Sequence, residues 1–295
     1  MIYTCTITPS IDYTTYLPKF ESGKLNRAEE VYYYPGGKGI NVSRVLKRLG
    51  LPSLALGYAG GFTGGYIEQF LSDEGIETDF IDTGEITRIN VKIKTDKETE
   101  LNGPGPKLNE NQLQELKNKV ASMSKGDWLI LAGSLPESIP IQFFTDLANT
   151  CNERDIHFVL DTSGPALKEL LPTKPFLIKP NEHELGEIFG VAIQNQSEAF
   201  HYANQLVEQG IQHVVVSMGG AGAIYASRDR MYAAQAPKGK VVNTVGSGDS
   251  MVSGFIASYI NEEDPLKAFQ YGIASGSATA FRTDLCERED VEQLL

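Results

Sequence analysis

Cysteine is scarce in this chain: Cys5, Cys151 and Cys286 are the only three among 295 residues, an odd number at wide spacing. That excludes a disulfide framework and a paired C-x-x-C zinc site, and it points to reduced thiols in a cytoplasmic setting. Positive charge is also short. Lys and Arg total 26 against 38 Asp and Glu, a formal net charge of −12, which argues against nucleic acid or an anionic membrane surface as the main partner. No apolar run approaches the ~20 residues that span a bilayer. The opening MIYTCTITPSIDY has neither the basic start nor the apolar stretch of an export signal.

Familiar motifs are missing too. No G-x-x-x-x-G-K-[ST] is present, so a Walker-type phosphate loop is not supported. The nearest approach to G-x-G-x-x-G is Gly37-Lys-Gly-Ile-Asn-Val42, which ends in valine where the third glycine belongs, and this argues against a dinucleotide site. Neither H-E-x-x-H nor the nucleophile elbow G-x-S-x-G occurs. His157, His183, His201 and His213 are scattered and read as structural or surface residues rather than metal ligands.

What remains is the composition of a soluble globular protein, 41% hydrophobic and 22% charged, long enough for a substantial core and a second, smaller element. Nearly continuous apolar runs at 2–8, 53–58, 128–132, 157–160, 176–178 and 214–217 suit strands covered on both faces. Helical periodicity falls at 39–49, 63–72, 109–121, 141–152, 182–189, 197–208 and 251–260. The alternation predicts an α/β layered domain on a mostly parallel sheet. Residues 13–34 and 89–101 break it. Their polar–apolar alternation suits a small antiparallel sheet, read as a lid, with edge hairpins as the structural alternative.

Four stretches carry candidate chemistry. In Pro35-Gly-Gly-Lys-Gly-Ile-Asn-Val-Ser-Arg44 the glycines permit close backbone approach to a ligand, and Lys38 and Asn41 supply a cation and a hydrogen-bonding amide at a helix start. A tight strand-to-helix turn with a solvated lysine explains that stretch equally well. In Lys179-Pro-Asn-Glu-His-Glu184, Asn181 and Glu184 lie three apart on one helical face, where oxygen ligands hold the water shell of Mg²⁺. A proline-marked helix start with dipole-favoured acids is the plainer reading of the same residues. Val215-Val-Ser-Met-Gly-Gly-Ala-Gly-Ala223 is a buried strand running into a glycine turn that either borders a nucleotide or simply turns the chain. Finally, Asn243-Thr-Val-Gly-Ser-Gly-Asp-Ser-Met-Val-Ser-Gly254 places Asp249 behind a small-residue turn, ahead of the helical stripe Met251, Val252, Phe255, Ile256, Tyr259 and Ile260. Capping accounts for an acid there, but not for Gly246, Ser247 and Gly248 in succession. Amides at a helix N-terminus that stabilise developing negative charge account for both.

GGKGINVSRVLKRLG (36–50) paired with NTVGSGDSMVSG (243–254), with KPNEHE and VSMGGAGA in order between them, resembles the ribokinase-like (PfkB) sugar kinases over nearly the whole chain. Thr87-Arg-Ile-Asn-Val-Lys92, Asn102-Gly-Pro-Gly-Pro106 and Ala132-Gly-Ser-Leu-Pro136 look like the branch acting on ketohexose phosphates. The resemblance implies one kinase domain over 1–295: a doubly wound α/β sheet with a β lid, often shared across a homodimer. It implies ATP-dependent phosphorylation of fructose 1-phosphate to fructose 1,6-bisphosphate, with tagatose 6-phosphate or fructose 6-phosphate as alternative substrates. A non-catalytic sugar-phosphate sensor is the alternative class.

Carried over residue by residue, the resemblance makes Asp249 the general base and the amides of Gly246, Ser247, Gly248 and Asp249 the hole for the transferred phosphoryl group. Asp12, Gly36, Gly37 and Asn41 would meet the sugar, Lys38 and Arg88 its phosphate, and Asn90 and Lys24 the lid side. Lys179 would meet the ATP phosphates, Asn181 and Glu184 would order Mg²⁺ through water, and Ser217, Gly219, Gly220 and Gly222 would border the nucleotide. Asp249 is expected to be ionised near neutral pH. Asn243 and Ser247 stand where many relatives have Asp and Ala, so the monovalent-cation site of some relatives is not expected here.

Overall fold

In the computed structural model, which describes residues 1–295, the first apolar run forms β1 (Ile2–Thr6), and the hairpin β2 (Ser10–Tyr16) and β3 (Glu30–Gly36) then leaves it. Helix α1 (Lys38–Arg48) returns the chain to β4 (Leu54–Ala59), α2 (Gly61–Asp73) and β5 (Glu77–Asp82). A second hairpin, β6 (Ile89–Lys94) and β7 (Glu98–Leu101), precedes α3 (Glu110–Ala121), β8 (Trp128–Ala132), α4 (Ile141–Glu153) and β9 (His157–Asp161). Then follow α5 (Gly164–Leu170), β10 (Leu177–Ile178), α6 (Glu182–Phe189), α7 (Gln196–Glu208), β11 (His213–Ser217), β12 (Ala223–Ala226) and β13 (Met231–Ala234). Three helices finish the chain, α8 (Ser247–Glu262), α9 (Pro265–Ala280) and α10 (Arg288–Glu292). None is long and apolar enough to cross a membrane.

The main sheet has nine strands in the order β13-β12-β11-β10-β9-β8-β1-β4-β5, parallel except for the β11–β12–β13 meander at one edge. Two-sided burial explains its apolar runs. Along β8, Leu129 and Leu131 join the core formed with Leu116, Phe144 and Leu147. The intervening Trp128, Ile130 and Ala132 join the opposite core, with Val42, Val45, Val252 and Phe255. A strand that must satisfy helices on both faces has no polar side to show.

The second sheet has four strands in the order β3-β2-β6-β7. Its two hairpins are antiparallel as expected, but the central β2–β6 pairing is parallel. The chain passes through α1, β4, α2 and β5 between them, the kind of long crossover that lets parallel strands meet. The expected strands and helices of the main domain all form, with boundaries shifted by a few residues; β5, β12, β13, α5, α9 and α10 were not anticipated.

One topological fact locates ligands. After β1 the chain adds β4 and β5 on one side, then crosses back to add β8 on the other. Strand order reverses between β1 and β8, and the crevice beyond the carboxyl ends of such strands is where open α/β sheets bind their ligands. Gly57 holds the adjoining β1–β4 seam close: its φ is 141°, and a Cβ there would lie 1.9 Å from the Thr6 carbonyl oxygen. Gly57→Ala is therefore expected to cost about 2–4 kcal/mol, by clash and strain together. Gly65→Ala, inside α2 with nothing near the added methyl, should instead stabilise by about 0.5–1 kcal/mol. Urea unfolding of the two variants checks the contrast, and equal effects would refute the steric account.

Candidate active site

At the β1–β8 crevice lies a cavity of about 440 Å³, walled by Thr6 at the end of β1 and Thr8 beyond it, Gly133 and Ser134 beyond β8, and the starts of α1, α6 and α8. Asp12, Gly37, Lys38, Asn41, Arg88, Asn90, Lys179, Asn181, Glu184, Ser217, Gly246, Gly248 and Asp249 all face it. A volume of this size is ordinary for a small-molecule site.

Asp249 sits in the first turn of α8 and is 5% exposed. Its Oδ2 accepts a hydrogen bond from Asn41 Nδ2 at 2.8 Å, joining the starts of α8 and α1. Burial pushes the Asp249 carboxyl up to about 6; Asp161 adds to the rise, and Lys38, Asn41 and Lys179 oppose it. A carboxyl so placed is ionised at neutral pH and close enough to neutrality to take a proton usefully. Gly246 is left-handed at φ 79°, turning the chain into the helix. A Cβ on Gly248 would lie 3.0 Å from Lys179 Nζ, so glycine lets that ammonium lie over the first turn. The amides of Gly248 and Asp249 have no backbone acceptor, as expected at a helix start. The Ser247 amide differs from expectation: it donates to the Thr244 carbonyl at 3.2 Å, and the Ser247 hydroxyl is buried without a partner. Asn243 folds its own turn, accepting from the Val245 amide at 3.1 Å.

The glycines before α1 have steric duties. A Cβ on Gly36 would lie 2.4 Å from Asp12 Oδ1, and one on Gly37 or Gly39 would strike Thr6 at 2.6 or 2.5 Å. They bring the start of α1 onto the end of β1. Lys38 reaches toward Asp161, whose Oδ1 is 3.2 Å from Lys38 Nζ and 3.7 Å from Lys179 Nζ. Asp161 holds the Lys38 ammonium above the ordinary lysine value. Burial raises the Asp161 carboxyl, but Lys179 and Lys38 outweigh it and keep it below the usual carboxylate range.

Across the cavity, the second sheet supplies a polar cluster. Asp12 Oδ1 accepts from Ser10 Oγ at 2.8 Å and Asn90 Nδ2 at 3.1 Å, while Oδ2 pairs with Lys92 Nζ at 3.1 Å. Asn90 Oδ1 accepts from the Gly103 amide, and the Arg88 guanidinium donates to the carbonyls of Gly103 and Thr8 at 3.2 and 3.0 Å. The NGPGP segment is thereby tied to the two residues beside it.

Asn181 and Glu184 form a reciprocal cap of α6: Asn181 Oδ1 accepts from the Glu184 amide at 2.8 Å, and Glu184 Oε2 accepts from the Asn181 amide at 2.9 Å. The helix-start reading of this stretch is thus satisfied, with both side chains still at the cavity wall. No three His, Cys, Asp or Glu side chains gather to cage a metal; these donors suit a hydrated Mg²⁺ carried largely by water and substrate oxygens.

Several expected site residues, Gly36 and Ser247 among them, do not line the cavity. Lys24 lies in the exposed loop after β2, paired with Glu21, and does not reach the cavity. Gly219, Gly220 and Gly222 lie beyond the cavity wall that Ser217 forms. Gly222 is packed so tightly on β13 that a Cβ would lie 2.0 Å from the Ala234 carbonyl, so its glycine is a requirement of the β11–β12 turn. Among residues that sequence reading missed, Asp161, Thr8, Ser10, Ser134 and Lys92 matter most. Asp161 carried one signal, an acid closing a buried strand at the ligand end of the sheet.

Comparison with known proteins matches this architecture. Residues 5–290 match the family model described as pfkB family carbohydrate kinase. The chain is 50% identical over 296 residues to a 1-phosphofructokinase of Bacillus subtilis, covering 100% of this chain and 97% of that one. It is 38% identical over 294 residues to a D-tagatose-1-phosphate kinase of Bacillus licheniformis, covering 99% and 97%. Phosphofructokinase-2 from Escherichia coli, solved with fructose 6-phosphate, superposes with a TM-score of 0.92 at 29% identity over 99% of this chain and 97% of that one. The chain belongs to the pfkB family of carbohydrate kinases and is an ATP-dependent sugar-phosphate kinase.

Proposed function

We propose that the protein transfers the γ-phosphoryl group of ATP to the C6 hydroxyl of fructose 1-phosphate, forming fructose 1,6-bisphosphate and ADP. The observation that carries this reading is Asp249: a buried carboxyl with a value near 6, oriented by Asn41, on the same helical turn as amides without acceptors. Asp249 takes the hydroxyl proton, the oxygen attacks phosphorus in line, and the bond to the β–γ bridging oxygen breaks. Amides of Gly246, Gly248 and Asp249 meet the charge on the equatorial oxygens. Asp12 and Asn90, with the backbone of Gly36 and Gly37, read the sugar hydroxyls, and Arg88 takes the phosphate that the sugar already bears.

ATP lies on the Lys179 and Ser217 side, with Gly219 and Gly220 at the rim. Asn181 and Glu184 hold Mg²⁺ through water, and that ion screens the phosphate charge when bound. The high identity to a 1-phosphofructokinase supports the substrate, and the D-tagatose-1-phosphate kinase relative supports D-tagatose 1-phosphate as the second reading. We also read the face of the second sheet bearing Val31, Tyr33, Ile89 and Leu101, all at least 40% exposed, as the contact for a second copy of the chain.

Release of ADP with Mg-ATP and a panel of fructose 1-phosphate, fructose 6-phosphate and the two tagatose phosphates tests the assignment. Fructose 1-phosphate should lead in kcat/KM by about tenfold or more, and a lead for another sugar phosphate rejects it. Asp249→Asn should lower kcat by about 10³-fold with little change in KM, and wild-type kcat should rise with pH through about 6.

The same residue links activity to stability. Its folded value, about 6, lies above the unfolded 3.8, so folding disfavours the ionised form. The cost is absent below about pH 4, grows between 4 and 6, and is full above 6. Asp249→Asn removes it, for an expected gain of about 1–3 kcal/mol at pH 7.5 that vanishes by about pH 4. Urea unfolding at both pH values measures this, and equal stability at pH 7.5 contradicts it.

A further inference from the structure

Five charged side chains that do not line the catalytic cavity gather beside α1, and none of them has a part in the proposed transfer. Arg44, on α1, is 3% exposed. Its guanidinium donates to both Glu74 oxygens at 2.8 Å and to the two Asp284 oxygens at 3.3 and 3.1 Å. Arg48, one turn on, donates to Asp284 Oδ2 at 2.7 Å and to the Leu285 carbonyl at 2.5 Å. Glu287 lies 3.3 Å from Arg48 at the outer edge. A buried ion cluster is weak evidence for stability, because apolar side chains of similar volume often pack as well. What a guanidinium fork adds is direction: it fixes where a carboxylate lies. Here it fixes residues 283–285, between α9 and α10.

That segment borders the turn that starts α8. The Val242 and Asn243 amides both donate to the Ala280 carbonyl, at 2.8 and 3.2 Å, and Asn243 Nδ2 reaches the Thr283 carbonyl at 3.4 Å. Leu285 packs directly on Gly246, where a Cβ would lie 2.5 Å from Leu285 Cδ2. Thr244 and Val245, in the middle of the turn, are exposed, so the turn has little packing of its own and depends on these neighbours. Helix α1 therefore holds the start of α8 twice. Asn41 binds Asp249 directly. Arg44, three residues later on the same helical face, acts at one remove, through Asp284 and Leu285.

We propose that Arg44 and Asp284 are positioning residues for the anion hole at the start of α8. Their ion pair, backed by Arg48, sets Leu285 against Gly246 and so fixes the direction in which the first amides of the helix point. Donors aimed in advance supply most of the gain in electrostatic catalysis, and a displacement of about 1 Å is enough to forfeit much of it. This inference rests on the kinase reading.

The test compares Asp284→Ala, Leu285→Ala, their double variant and Glu287→Gln in the full chain, with Mg-ATP and fructose 1-phosphate, and measures the urea midpoint of each. Asp284→Ala and Leu285→Ala should each lower kcat by about 10-fold or more, with KM for both substrates within about threefold. The double variant should lie within about threefold of the worse single, because both changes act through one turn. Glu287→Gln takes a carboxylate from the same cluster while leaving Asp284 and Leu285 in place, so its kcat should match wild type. An equal loss of kcat in Glu287→Gln and Asp284→Ala would overturn the proposal, since activity would then follow the stability of the cluster. So would multiplying losses in the double variant, or an Asp284→Ala variant that raises KM at unchanged kcat. Should Asp284→Ala fail to fold, Asp284→Asn, which keeps the size of the side chain, carries the same comparison. A wild-type protein without turnover on any sugar phosphate of the panel counts against the kinase reading. Wild-type turnover retained in Asp284→Ala counts against the positioning role alone.

Discussion

The site depends on one hydrogen bond between residues 208 positions apart, from Asn41 Nδ2 to Asp249 Oδ2. It ties the start of α1 to the start of α8 at the point where strand order reverses. With one oxygen held by a neutral amide, the Asp249 carboxyl is fixed at the cavity wall, the kind of orientation the proposed base would need. The bond is kept in place by packing below it. Val42, Val45, Val252, Phe255 and Ile256 share one core, and Ser253 Oγ reaches the Val42 carbonyl at 3.4 Å. Catalytic geometry here is inherited from the interdigitation of two helices on a sheet.

Electrostatics then separates two buried carboxylates that look alike in sequence. Asp249 and Asp161 are both nearly inaccessible, and burial acts on both in the same direction. Asp161 is held down by the two lysines beside it, whereas Asp249 receives a neutral amide and a like charge nearby. Environments that push two titratable groups apart assign their roles. The group near 6 can exchange a proton at neutral pH; the group locked to two ammoniums cannot. A chain with net charge −12 that handles anions needs its cations concentrated, and these loops concentrate them.

The sheet was legible because two-sided burial leaves an unmistakable trace. Trp128–Ala132 matched its strand without a shift. The elements that escaped notice lack that trace. β5 reads ETDFID, an edge strand half exposed and rich in acids. Helix α9 is built from Gly, Ala and Ser so that α8 can approach: a Cβ on Gly254 would lie 2.3 Å from Ser275 Oγ, and such an interface shows no strong apolar stripe. Within the site, Asp249 was visible because its glycines stand next to it. Asp161 was not, because its partner Lys38 is 123 residues away and nothing local distinguishes it from an acid at any strand end. Lys24 misled for the opposite reason: it lies near lid strands in sequence, while the loop carries it out to solvent.

For several motifs, a structural reading and a functional one competed at the level of sequence, and the folded protein shows why that choice was badly posed. Asn181 and Glu184 complete a capping box, and the same bonds fix both side chains at the cavity wall. Gly36 and Gly37 admit no Cβ because Asp12, Ser10 and Thr6 are already there, and that contact is what delivers Lys38 and Asn41 to the crevice. Gly248 is small because an ammonium occupies the adjoining space. A site precise enough to act on a phosphoryl group has to be made of side chains that cannot move, and caps, tight turns and close approaches are the local means of immobilising them. Residues with an ordinary structural explanation are therefore the ones such a site should be built from. Gly222 marks the limit of this argument: its close contact is with the Ala234 carbonyl, and it is not among the residues that line the cavity.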